Sequence, residues 1–182
     1  MRTRVWRAAI AGIVAGIVMA AFMMLYMAVW GDSVWTNPNL IAVMWLGSQV
    51  ADGQFGWATL IGFTTHMGAS ALMGMIGLVL IRDLPPRRVM TASVTYALAS
   101  YPVAIAFIMT WANPLFVARS QVLPMTLAHG VFGLTYGAVF LALNRVGASP
   151  PDGFNADGRQ DFAPAPHCDE GQAVRRSRGN AL

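Results

Sequence analysis

Residues 8–30 read AAIAGIVAGIVMAAFMMLYMAVW, with Arg7 immediately before them and no Asp, Glu, Lys or Arg among them. A helix needs about 20 apolar residues to cross the hydrocarbon core of a bilayer. A surface helix of a soluble domain keeps a polar face, and this stretch has none. It therefore reads as a transmembrane span. Arg2, Arg4 and Arg7 resemble the start of a signal peptide. The apolar run, however, exceeds the roughly 7–15 residues of a signal h-region and no small-x-small cleavage site closes it, so it reads as a retained anchor.

Three further stretches meet the same criterion: Trp57–Ile81, Val89–Ala112 and Leu123–Leu143. Composition agrees. Only 11% of the 182 residues are charged, less than half of the roughly 25% typical of soluble domains. The expected fold is an all-α membrane protein, a four-transmembrane-helix bundle in one domain over residues 1–145. From Val146 to Leu182 the chain is rich in Pro, Gly, Asp and Arg without apolar periodicity, and it is expected to be a disordered cytoplasmic tail.

Every basic residue is an arginine. Arg2, Arg4 and Arg7 precede the first span, Arg82, Arg87 and Arg88 join the second to the third, and Arg145, Arg159, Arg175, Arg176 and Arg178 follow the fourth. Only Arg119 falls on the opposite side. The positive-inside bias places both termini in the cytoplasm, and Trp6, Trp30, Trp57 and Trp111 near the span ends fit an interfacial aromatic belt. The first outer loop, Gly31–Gly56, contains an apolar stretch at about 38–50 that is too short to span. Asn37-Pro38 has the form of an N-cap followed by proline at the first helical position, which predicts a short helix in the outer interface.

The chain repeats itself. Arg7 to Trp30 and Arg88 to Trp111 enclose spans of equal length. Asn37-Pro38-Asn39-Leu40 follows the first and Asn113-Pro114-Leu115 the second. Each is followed by a span with one histidine: His66-Met67-Gly68 with Gly74 eight residues on, and His129-Gly130 with Gly137 eight residues on. The two halves cross the membrane in the same sense, as parallel repeats about an axis along the membrane normal do.

His66 and His129 are the only ionisable residues of the Asp, Glu, Lys, Arg and His set inside the spans. Such residues are costly in hydrocarbon and mark candidate sites. Facing imidazoles in a four-helix bundle suit a b-type haem, and Gly62, Gly68, Gly130 and Gly133 would leave room for a flat macrocycle. Met67 and Met125 lie close enough in sequence to make a soft-metal site a variant. The competing reading is structural hydrogen bonding, with Thr64, Thr65, Ser70, Thr126 and Thr135 as partners.

Other chemistry is weaker. His66 and Ser70 share a helix face, but no span holds a carboxylate to orient a base, so no catalytic set emerges. The same absence argues against a proton- or sodium-coupled transporter. The arginines occupy helix ends and the tail rather than one face, which excludes a nucleic-acid footprint. Cys168 alone forms no internal disulfide, and His167-Cys168-Asp169 reads as incidental. Gly12 with Gly16, and Gly133 with Gly137, are small-xxx-small pairs that let helices approach closely, within the chain or between copies. Pro102 is expected to kink the third span.

The opening helix from Gly12 to Met19, the histidine of the second span, and the segments Asn113-Pro114 and Ala128-His129-Gly130-Val131-Phe132-Gly133-Leu134-Thr135-Tyr136 resemble uncharacterised bacterial inner-membrane proteins with about four spans. The resemblance covers residues 8–144. It implies a bacterial inner-membrane location and the four-span plan, and it carries no activity, cofactor or site residue. Three functions follow as expectations. The first is a structural, accessory or binding subunit, non-enzymatic, in contact with lipid and a partner subunit. The second is a haem- or metal-binding electron-transfer protein using His66 and His129. The third is an oligomeric channel or carrier assembled through glycine-rich faces.

Overall fold

The computed structural model describes residues 2–30 and 32–146. The tail expected to be disordered, with His167 and Cys168, lies outside them beyond Val146. The helices are α1 (Arg2–Val29), α2 (Thr36–Leu46), α3 (Trp57–Ile81), α4 (Pro86–Ala104), α5 (Thr110–Ala112), α6 (Pro114–Arg119) and α7 (Val122–Val146). A 3-10 turn covers Ser48–Val50, and a π-helical segment, Ile105–Met109, joins α4 to α5 in one continuous span. Four helices, Thr3–Val29, Trp57–Ile81, Pro86–Ala112 and Val122–Arg145, are long and apolar enough to cross a bilayer. The chain is a multi-pass membrane protein, and the described residues contain no strand.

Helix is the obligatory answer to these sequences in lipid, where every backbone N–H and C=O needs a partner within its own segment. The exception proves local. Pro102 has no N–H to give to the preceding turn, and within a turn of it the helix loosens to π spacing. There Thr110 donates both its N–H and its side-chain O–H to the Ile105 carbonyl, the latter at 2.7 Å.

The four spans close into an antiparallel ring. α1 packs on α3 and α7, α4 packs on α7, and α3 meets α4 more sparsely. Tyr136, fully buried, crosses the diagonal from α7 and donates its O–H to the Gly74 carbonyl of α3 at 2.7 Å. Tyr96 of α4 donates to the Met73 carbonyl at 3.0 Å. Gly77 lies between the two tyrosine rings. Along α7, Phe132 stacks on Tyr136 with ring centroids 6.2 Å apart, and Phe140 lies tilted against Tyr136 at 6.1 Å; all three belong to the core with Met19, Met23, Leu78, Ile81 and Val89. At the arginine-rich end, Arg7 donates to Asn144 across α1 and α7 at 3.4 Å.

At the opposite end, α2 and α6 cap the bundle. Pro38 of α2 sets its carbonyl directly on Gly62 of α3, a position where a Cβ has no room. Asn39 is fully buried. It accepts from Thr59 Oγ1 at 2.8 Å and donates to the Gln54 carbonyl at 2.8 Å. Trp45 donates to Thr65 at 3.0 Å, so α2 follows α3 from Thr59 toward Thr65. The expected cap at Asn37 is not formed. α2 starts two residues earlier, at Thr36, after Trp35, and no side chain caps it. In the second half the motif does cap: Asn113 accepts from the Phe116 N–H at 3.0 Å with Pro114 at the first helical position. Its amide also donates to the Leu40 carbonyl at 2.6 Å, which ties α6 to α2.

Candidate functional site

The histidines lie beside the small-residue seams that hold the helices together. In the first half, a Cβ on Gly12 would strike the Ser70 carbonyl and stand 3.0 Å from the Gly74 Cα, and one on Gly16 would strike the Ser70 hydroxyl. In the second half, a Cβ on Gly133 would stand 2.7 Å from the Val94 Cα, 2.8 Å from the Ser93 carbonyl and 3.0 Å from the Ala97 Cβ. One on Gly137 would stand 3.2 Å from Ser93 Oγ. Aligning Arg7 with Arg88 and His66 with His129 makes Gly12 the counterpart of Ser93, Gly16 of Ala97, Ser70 of Gly133 and Gly74 of Gly137. The contacts pair in that register in both halves. The glycines named as candidate oligomer faces, Gly12, Gly16, Gly133 and Gly137, all pack within the chain.

His66 lies on α3 beside this seam, and its Nε2 is 3.1 Å from the Gly16 carbonyl of α1. A carbonyl only accepts, so Nε2–H donates. His129 on α7 places Nδ1 at 2.9 Å from the Met125 carbonyl of its own helix. Its Nδ1–H therefore donates, and in the neutral ring Nε2 keeps its lone pair. The His129 ring lies against Tyr101 of α4, centroids 5.1 Å apart. None of the hydroxyls expected as partners serves either ring. Thr64 and Thr126 donate to carbonyls one turn back on their own helices, and Thr65 accepts from Trp45. Ser70, which shares a helix face with His66, is buried in the seam instead.

The two histidines share a depth. α3 and α7 run in the same direction, and Tyr136 is bonded to Gly74. His129 precedes Tyr136 by seven residues and His66 precedes Gly74 by eight, so their levels agree to within about one turn, roughly 5 Å. The glycines expected to make room for a macrocycle differ among themselves. Gly62 is covered by the Pro38 carbonyl and Gly133 by α4. A Cβ on Gly68 would meet nothing within 4 Å, and one on Gly130 would meet only Leu98 Cδ2 at 3.8 Å. Among the described residues no three His, Cys, Asp or Glu side chains gather in a metal-binding group.

Sequence reasoning missed Asn39 and Asn113 as buried linchpins of the cap. The Asn-Pro element of the repeat was their signal. It also missed Tyr101, which carries no motif. No family model matches the chain, and no curated protein and no solved structure matches it.

Proposed function

We propose that this chain is a closed, non-conducting four-helix scaffold of a bacterial inner membrane that serves as an accessory or binding subunit, with both termini in the cytoplasm. The observation that supports it is the pair of small-residue seams closed inside the chain. Glycine faces packed within one chain are not free to line a pore between copies, and the core between the spans is filled by Tyr136, Phe132 and Phe140. The arginine distribution supports the orientation. The test is ion and solute flux through proteoliposomes of the purified chain. Flux at the protein-free baseline is expected, and flux that scales with protein content contradicts the reading. A reporter enzyme active only outside the cytoplasm, fused to the C-terminus, is expected to stay inactive.

A second reading keeps haem or a metal ion on His66 and His129, and their common depth favours it. Against it stand the engagement of His66 Nε2 by Gly16 and the backbone that fills Gly62 and Gly133. Oxidised and dithionite-reduced absorption spectra of the purified protein separate the two. A Soret band lost in both His66→Ala and His129→Ala supports the haem reading, and a featureless spectrum from haem-replete cells removes it.

A further inference from the structure

The two seams are not finished alike. Where α3 carries Met67, whose Cε packs 3.5 Å from a Cβ position at Gly16, the equivalent position on α7 is Gly130, with only Leu98 Cδ2 near it at 3.8 Å. Where His66 donates to Gly16, the equivalent carbonyl, Ala97, accepts from Ser100 Oγ at 2.7 Å. His129 is thereby left to its own helix. Tyr101 replaces Ala20 of the first half and lies against the imidazole.

This leaves two polar atoms without a protein partner among the described residues, the lone pair on His129 Nε2 and the phenolic O–H of Tyr101. Among the described residues the one fully buried side-chain polar atom in that condition is Ser93 Oγ, so neither of these is sealed in the core. Leu98, beside Gly130, is exposed. An unpartnered donor beside an unpartnered acceptor is costly in hydrocarbon, where water does not satisfy them.

We propose that the α4–α7 seam at His129, Gly130 and Tyr101 binds a hydroxyl-bearing aromatic lipid of the quinol type from the bilayer. One ring hydroxyl of the ligand donates to His129 Nε2 and an oxygen of the ligand accepts from the Tyr101 phenol. The ring lies in the space left by the missing side chain of Gly130. The chemistry calls for a donor and an acceptor on one flat apolar body, which an acyl chain lacks. The inference is independent of the scaffold reading, and it assigns His66 no part.

The test is isothermal titration of a decyl-substituted benzoquinol into the full-length chain in detergent micelles, with decylbenzene as the partition control. Saturable binding of the quinol and not of decylbenzene is expected. Gly130→Met, which restores the side chain of the first half, is expected to abolish it, and Tyr101→Phe to weaken it about five- to tenfold. His66→Asn is expected to leave it unchanged. Thermal unfolding of each variant in the same detergent shows whether it is folded. Quinol uptake no different from decylbenzene overturns the proposal, as does undiminished binding by folded Gly130→Met or a haem Soret band that depends on His129.

Discussion

The α1–α3 pair and the α4–α7 pair are built on one register and finished differently. Both bring backbones together through a small residue on each helix, Gly12 against Ser70 and Ser93 against Gly133. The first seam is then locked by His66 on Gly16 and by Met67. The second loses that lock to Gly130, to Ser100 on the Ala97 carbonyl, and to the loosened turn after Pro102. The lesson is that close packing and site chemistry are separable within one repeat. Small residues at four-residue spacing fix how the helices approach, and the neighbours one turn away decide whether a histidine is a clamp or an open ligand.

The sharpest way to break this comparison is to overfill each seam. Gly12→Leu drives a side chain into backbone at Ser70 and Gly74, and Gly133→Leu does the same at Val94 and Ser93. Each is expected to cost about 3 kcal/mol or more, read as lost thermal stability in detergent. Equal losses support equivalent seams, and a near-neutral Gly133→Leu breaks the equivalence. Next in size is Asn113→Ala, which removes the side-chain bonds to the Leu40 carbonyl and from the Phe116 N–H. A loss of about 2 kcal/mol is expected, together with faster proteolysis within residues 47–56.

His66→Ala removes one interhelical hydrogen bond and is expected to cost about 1 kcal/mol. His129→Ala, whose bond lies within its own helix, is expected to cost less by the same assay. The smallest effect has the opposite sign. Ser93 Oγ is buried without a partner, so Ser93→Ala is expected to raise stability by up to about 1 kcal/mol. A fall in stability instead would mean that this hydroxyl has a partner.

Much of this was legible in the sequence, for definite reasons. The helix at Trp57–Ile81 coincides with its apolar run because Gly56 and Arg82 mark both edges. α1 begins several residues before its apolar run, since Arg2–Arg7 continues the helix beyond the apolar stretch. Equal spacing from Arg to Trp and from His to Gly exposed the repeat. Its seams were hidden because Gly, Ser and Ala exchange at the paired positions. The partners of both histidines are backbone carbonyls, which leave no mark in a sequence. The fit of Pro38 on Gly62 is tertiary, and a helix that reads as apolar and short does not announce which neighbour it covers.

The most direct measurement is the native mass of the wild-type chain in nanodiscs, alongside Gly12→Leu and Gly133→Leu, with thermal unfolding of all three. If the glycine seams hold one chain together, the wild type runs as a single 19.5 kDa chain and both variants unfold at lower temperature without a change of mass before unfolding. A defined wild-type oligomer that either variant converts to folded monomers of unchanged stability would place the glycines between chains and contradict the account.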